Sequence, residues 1–103
     1  MDCIFCKIIN KEYHSEPVYE DENYIVLNDL HPKARVHMLI IPKRHIETIN
    51  HLDDADDVLI WWLFLIARDL AKKMNIGWYK LSFNVWKEWW QEIFHIHLHF
   101  LAN

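Results

Sequence analysis

The stretch His95-Ile96-His97-Leu98-His99-Phe100, near the C-terminus, carries histidine at alternate positions. Side chains alternate between the two faces of a β-strand, so a strand here puts the imidazoles on one face, about 6.6 Å apart, and the apolar side chains in a core. Histidine has no strong strand preference, so the row indicates a functional site rather than a decorated sheet face. Two chemistries fit it: zinc ligation, or a central imidazole acting as nucleophile or base while its neighbours set its tautomer and charge.

The rest of the chain predicts a sheet with one long helix. Short runs rich in β-branched and aromatic residues, bounded by polar segments, predict strands over residues 24–27, 36–41, 79–85 and 93–101. Residues 54–74 begin among aspartates and end among lysines, the charge order that suits a helix dipole, and Asn75 and Gly77 predict the stop. Residues 58–67 are apolar on every face, so one side can cover the sheet while the other requires a second partner.

Composition limits the class of protein. The chain of 103 residues, 52% hydrophobic and 25% charged, predicts a single globular domain spanning residues 1–103. A net charge of −4 argues against nucleic acid as the main partner. The longest apolar run is ten residues, against about 20 for a membrane span, and no secretory leader is visible. We therefore expect a cytoplasmic protein that binds small ligands or other proteins.

Several motifs together carry a family resemblance. Asn84 and Gln91 precede the histidine row, Cys3-Ile-Phe-Cys6 begins the chain, and the segments 28–34 and 37–45 follow in the same order. This set resembles the histidine-triad (HIT) nucleotide-binding family, and most closely its adenosine phosphoramidase branch. The resemblance implies an α+β fold with an antiparallel sheet of about five strands, one long helix and a short N-terminal helix. It also implies a homodimer joined through the long helix and the adjoining strand.

The resemblance further implies which residues are functional. His97 matches the nucleophile that attacks the α-phosphorus and forms a nucleotidyl-imidazole intermediate. A neutral imidazole suits that role near pH 7. The resemblance implies that His95 and His37 orient that imidazole and that His99 contacts the phosphate or the leaving group. It also implies that Asp29 accepts hydrogen bonds from the ribose hydroxyls and that Asn84 and Gln91 make contacts near the phosphates.

The C-x-x-C pair at the N-terminus predicts half a metal site or a redox pair in a reducing compartment. The resemblance implies a structural zinc held by Cys3, Cys6, His45 and His95. The alternative is that both thiols are small buried hydrophobic groups and that His45 is a solvated loop residue.

Tryptophans mark where the family pattern breaks. The chain has one glycine, Gly77, beside six tryptophans. Family members carry glycines between Asn84 and Gln91, where the backbone passes close to phosphate, and we expect bulky indoles to hinder that approach. The six positions are Trp86, Trp89 and Trp90 in this loop, Trp61 and Trp62 in the helix, and Trp78 beside the glycine.

Two functions follow from these departures. We interpret the chain as an engineered or diverged HIT scaffold whose six tryptophans, exposed to solvent, form a protein-binding surface, with hydrolysis impaired. The alternative is an active hydrolase that cleaves nucleoside phosphoramidates or dinucleotides through His97, with a purine nucleotide as ligand. Tryptophans filling the core would contradict the first interpretation. The homodimer is weakened if the helix tryptophans face another protein and persists if they face a second copy.

Overall fold

The computed structural model describes residues 3–103. It contains two α-helices, five β-strands and three short 3₁₀ helices. The helices and strands are α1 (Ile4–Ile9), β1 (Tyr19–Glu20), β2 (Tyr24–Asn28), β3 (Val36–Pro42), α2 (Asp57–Lys73), β4 (Lys80–Ser82) and β5 (Leu98–Ala102). The 3₁₀ helices are Ile49–His51, Asp54–Asp56 and Lys87–Trp89.

All five strands form one antiparallel sheet in the order β1-β2-β3-β5-β4. The last strand is inserted between β3 and β4, so His99 lies opposite Leu39 on one side and Ser82 on the other. This insertion places His99 on an interior strand of the sheet rather than on an edge strand. The α+β prediction of a five-stranded antiparallel sheet with one long helix is confirmed.

The long helix covers one face of the sheet. Asp53 and Asp56 form a reciprocal capping box, so the aspartates begin a 3₁₀ turn before α2 itself begins at Asp57. At the C-terminal end of α2, Asn75 adopts the left-handed region at φ 61° and ends the helix, as predicted. The prediction that Gly77 also helps to end the helix is wrong, because Gly77 has no positive φ. α2 buries the side chains of Leu63, Ile66, Ala67, Leu70 and Ala71. No helix within residues 3–103 is long and apolar enough to cross a bilayer.

The opposite face of the sheet is covered in part by α1. Phe5 of this helix is buried among apolar side chains of the central strands. Alternation along β3 sends Met38 and Ile40 toward α2, and Leu39 and Ile41 toward α1. His37, at the same parity as Leu39, therefore lies on the α1 face. Asp29, His37, His97 and His99, which the sequence predicts to be functional, line a cleft on this face together with Phe5.

Two strand predictions were too long. β5 begins at Leu98 rather than at residue 93, because the backbone before it bonds elsewhere: the Ile96 N–H donates to the Ile46 carbonyl at 2.8 Å, and the His95 carbonyl accepts from the His97 ring. β4 covers only Lys80–Ser82 rather than residues 79–85. The short β1 was not predicted, since two residues carry no alternation signal.

Candidate functional site

Three imidazoles gather on the α1 face, where β3 and β5 run side by side. His37 Nε2 and His99 Nδ1 lie 2.9 Å apart, and the ring centroids of His97 and His99 lie 4.9 Å apart. All three side chains line an open cleft of about 760 Å³. His95, the fourth predicted catalytic histidine, is fully buried outside this cleft, and its ring belongs to a second cluster.

The tautomer of His97 is set by its own strand segment. Its Nδ1 lies 2.7 Å from the His95 carbonyl oxygen. A carbonyl oxygen only accepts, so Nδ1 carries the hydrogen and donates it, which leaves the lone pair on Nε2. Burial lowers the pKa of His97 below its ordinary value, so the ring is neutral at pH 7. The residue predicted as nucleophile therefore holds an available lone pair, and His95 orients it through its backbone.

His37 and His99 form a hydrogen-bond chain with fixed direction. The Lys33 backbone N–H donates to His37 Nδ1 at 3.1 Å, so His37 carries its hydrogen on Nε2 and donates to His99 Nδ1. His99 then carries its own hydrogen on Nε2, which is buried without a hydrogen-bond partner among residues 3–103. Burial lowers the pKa of His99 to about 4 and that of His37 below its ordinary value, so both stay neutral. This series of hydrogen bonds leaves the Nε2–H of His99, beside the His97 ring, without an acceptor in the described part of the chain.

The carboxylate of Asp29 lies next to the hydrogen-bonded pair of His37 and His99. Its Oδ1 accepts the His31 backbone N–H at 2.8 Å, and its Oδ2 lies 3.4 Å from His37 Nε2. The three donor groups of Asp29, His37 and His99 lie close enough to surround a metal ion. His37 Nε2 already carries a hydrogen, however, so this trio acts as a hydrogen-bonded unit rather than as a ligand set.

The cleft extends across the sheet from the end of β2 to the loop after β4. Asp29 and Asn84, both predicted to contact nucleotide, line it at opposite ends. Sequence reasoning missed three further contributors. Phe5 packs its ring edge-on with His97 at 5.2 Å between centroids, Ser82 lies opposite His99 on the neighbouring strand, and Lys33 acts through its backbone. Strand alternation could have found Ser82, whereas no residue pattern signals a backbone donor.

Gln91 lies outside the cleft lining, although the resemblance implied a contact near the phosphates. Its side chain is buried and hydrogen-bonded: Oε1 accepts the Trp86 backbone N–H at 2.9 Å, and Nε2 donates to the Glu47 and Ile93 carbonyls at 2.7 and 3.2 Å. Within the described residues Gln91 therefore holds the loop in shape.

The loop between Asn84 and Gln91 keeps a glycine-like backbone although it carries tryptophan. Trp86 has φ 76° and Trp90 has φ 66°, both in the region that favours glycine. Trp90 lines the cleft, whereas Trp86 packs edge-on against Phe94 at 5.3 Å and Trp89 against Trp90 at 5.7 Å. The expected obstruction of the phosphate path thus falls on Trp90.

A second cluster joins the N-terminus to the segment before β5. His95 Nδ1 lies 3.5 Å from Cys3 Sγ, 3.6 Å from Cys6 Sγ and 3.1 Å from His45 Nδ1, and Cys6 Sγ lies 3.3 Å from that same His45 atom. Tetrahedral zinc with bonds of about 2.0 to 2.3 Å requires its ligand atoms about 3.3 to 3.8 Å apart. The four distances given are close to this spacing, and all the ligand atoms of the four residues lie within 4.8 Å of one another.

The protonation of this cluster also suits a metal. His95 Nε2 donates to the Pro42 carbonyl oxygen at 2.7 Å, which leaves a lone pair on Nδ1, the atom that faces the sulfurs. Burial lowers the pKa of His95 to about 4, so the ring is neutral. Both cysteines are free, and the Cys6 backbone N–H points at Cys3 Sγ at 3.4 Å. The residues present fit a structural zinc ion.

All six indoles are substantially exposed, as predicted. Trp78 is the most exposed at 91%, and Trp62 and Trp86, at 47% and 46%, are the least. Trp61 and Trp62 lie on the side of α2 that faces away from the sheet. The alternative in which these tryptophans fill the core is wrong.

Comparisons with known proteins agree with this geometry. A family model described as "Scavenger mRNA decapping enzyme C-term binding" matches residues 2–103. HitA of Neisseria gonorrhoeae is 35% identical over 103 residues, covering 99% of this chain and 96% of HitA. A HIT-like protein of Chlamydia trachomatis is 38% identical, covering 100% of this chain and 94% of the relative.

Solved structures give the same result. The crystal structure of a HIT family hydrolase from Legionella pneumophila Philadelphia 1 matches with a TM-score of 0.95 and 41% identity, covering 99% of this chain and 93% of the other. A histidine triad protein from Clostridium difficile matches with a TM-score of 0.94 and 34% identity, covering 100% and 91%. These similarities favour the hydrolase alternative over the engineered binding scaffold, and they show that the chain belongs to the histidine-triad (HIT) family.

Proposed function

We propose that this protein is a nucleotide hydrolase that cleaves nucleoside phosphoramidates or dinucleotides at the α-phosphorus, with His97 as nucleophile. The observation that carries the proposal is the hydrogen bond from His97 Nδ1–H to the His95 carbonyl, which leaves Nε2 unprotonated in a residue that lines the cleft. The low pKa of the buried ring supports the same role, because protonation would remove the lone pair.

The reaction then has two steps. His97 Nε2 forms a bond to phosphorus while the leaving group departs with the electron pair of its own bond and takes a proton from solvent water in the open cleft, and His99 Nε2–H donates a hydrogen bond to the departing group. Water next attacks phosphorus and releases a proton to solvent, which balances the proton taken in the first step, while the His97 ring leaves with its electron pair and returns to its neutral form. The N–H of His99 has no hydrogen-bond partner among residues 3–103 and lies beside the His97 ring, so it is free to donate that hydrogen bond.

The two ends of the cleft suit the two ends of such a substrate. Asp29 would accept hydrogen bonds from the ribose hydroxyls, and Asn84 would contact the phosphate or leaving group on the far side of the imidazoles. A purine nucleoside fits the apolar wall formed by Phe5, Ile8 and Leu27 near Asp29. Adenosine 5′-phosphoramidate is therefore the first substrate to assay.

The test is hydrolysis by His97→Ala, with the exposed His51→Ala as control. We expect kcat for His97→Ala to fall at least about 10³-fold, since positioning cannot replace a nucleophile, and His51→Ala to retain wild-type kcat. Acid-quenched wild type should also carry a nucleotidyl mass on the peptide containing His97. Activity that survives in His97→Ala would contradict the mechanism.

The second cluster is proposed as a zinc site that supports this one. Cys3, Cys6, His45 and His95 would hold the ion, which would supply a cross-link between the N-terminus and the segment that carries His97. Cytoplasmic conditions would keep both thiols reduced and able to ligate.

Protein binding remains a second proposed function, favoured by the exposure of Trp61, Trp62 and Trp78. None of these side chains lines the cleft, so such binding is compatible with hydrolysis. Exposed indoles offer a driving force that an interface could recover.

A further inference from the structure

We propose that Trp90 forms a stacking subsite for the leaving group, so that the enzyme favours nucleoside phosphoramidates whose leaving group carries a flat aromatic ring. This inference rests on the proposed function and names its preferred substrate class.

The strand order determines which end of the substrate reaches Trp90. The cleft passes from Asp29, after β2, over His37 on β3 and the His97–His99 pair, to Ser82 on β4. Trp90 lies in the loop beyond β4, beside Asn84 and Ile93 in the cleft wall. With the ribose at Asp29 and the phosphorus at His97, the departing group extends toward Trp90.

The indole has a free face and a fixed backbone. The side chain is 69% exposed, so its ring is available to a ligand. The Trp90 N–H donates to the Lys87 carbonyl at 3.1 Å, and its carbonyl accepts from Asn84 Nδ2 at 3.4 Å. The Trp89 ring meets it edge-on at 89°. These contacts hold the backbone at φ 66° and limit the freedom that binding would remove.

Trp90 differs in this respect from the other tryptophans. It is the one tryptophan of residues 3–103 among the cleft-lining side chains. The Trp86 ring packs edge-on against Phe94, and the Trp89 ring, which does not line the cleft, packs edge-on against Trp90. Trp90 therefore shares one cleft with His37, His97 and His99, where a bound substrate can reach its ring.

The expected preference is about tenfold, since stacking of a flat ring on an aromatic side chain is commonly of that order. The assay compares adenosine 5′-phosphoramidates of 2-phenylethylamine and n-butylamine. Both are primary alkyl amines of similar basicity, so the bond-breaking step is matched and the ring is the difference. We expect wild-type kcat/KM to be about tenfold higher for the phenylethyl compound.

The variant that tests the subsite is Trp90→Leu, which keeps an apolar side chain at the same positive φ. We expect Trp90→Leu to lose the tenfold preference, taken as the ratio of the two kcat/KM values within the same variant, and Trp90→Phe to restore most of that ratio. The exposed Trp78→Leu is the matched control and should leave the preference unchanged.

Binding is measured in parallel by calorimetry in the His97→Ala background, where neither compound is cleaved. A tenfold tighter affinity for the phenylethyl compound that Trp90→Leu removes supports the subsite even if wild type hydrolyses neither compound, in which case only the proposed function fails. Hydrolysis of both compounds with no preference, or with a preference that survives in Trp90→Leu, overturns the subsite and leaves the proposed function standing.

Discussion

Replacement of Trp86 by glycine and by alanine tests the strain in the loop. Trp86 has φ 76° and ψ 162°, a region populated almost only by glycine, which costs another residue about 1 to 3 kcal/mol. Both substitutions delete the indole and its contact with Phe94 equally, so their difference isolates the backbone. Glycine avoids the strain but loses about 0.5 to 1 kcal/mol more in chain entropy than alanine.

The balance predicts that Trp86→Gly is more stable than Trp86→Ala by about 1 kcal/mol, which corresponds to about 4 to 8 °C in Tm for a domain of this size. The matched control is the same pair at Trp61, which is exposed in the second turn of α2. There glycine should be less stable than alanine by about 1 kcal/mol. The sign of the glycine-minus-alanine difference therefore reverses between the two positions.

Urea denaturation followed by far-UV circular dichroism measures all four variants, with the midpoint compared at constant slope. A Trp86→Ala variant as stable as Trp86→Gly, with the usual helix penalty present at Trp61, would refute the argument. It would mean that the loop relaxes out of the positive φ region once the indole is removed.

Three further outcomes are expected. Protein purified without a His-tag should contain about one equivalent of zinc by atomic absorption. Acidification should release the zinc, because burial raises the pKa of Cys6 to about 11 and the metal must displace that proton. Less than a tenth of an equivalent in both wild type and Cys6→Ser would reject the site. In metal-free protein the urea midpoint should fall as the pH drops from 6.5 toward 4. His99 binds a proton near pH 6.5 in the unfolded chain but only near pH 4 in the native state, so protonation favours unfolding in this range. The variant His99→Gln should therefore show a smaller fall. Sedimentation compares the fraction of dimer in wild type with that in the double variant Trp61→Gly/Trp62→His. The variant should contain more dimer if these indoles face a different protein, and less dimer if they face a second copy of this chain.

The local elements of this protein could be predicted from its sequence. The aspartates before residue 58 and the lysines after residue 71 act within one turn of the helix they flank, so they marked α2 to within three residues at its start. The run rich in β-branched residues over residues 36–41 likewise marked β3 at its first residue, Val36, because strand preference depends on the residues of the strand itself. The histidine row was recognisable as a candidate site for the same reason, since its spacing is local.

Only the tertiary structure decided what each imidazole does. His95 and His97 are two residues apart, yet one ring joins Cys3, 92 residues away, and the other faces the cleft. The hydrogens on His97, His37 and His95 are set by the backbone groups of His95, Lys33 and Pro42 respectively. Every residue carries such backbone groups, so no residue pattern predicts which ones reach a given ring.

The loop shows the same division. Three tryptophans in place of glycines predicted a blocked backbone, but Gln91 bonds to the Glu47 carbonyl, 44 residues earlier, and the loop retains positive φ at Trp86 and Trp90. From the sequence alone, an unusual group of aromatic residues could be located in the loop that the family resemblance assigns to phosphate contact. Which indole faces the cleft was decided by contacts between segments far apart in the chain, because a side chain's direction follows from the packing of the whole fold rather than from its neighbours in sequence.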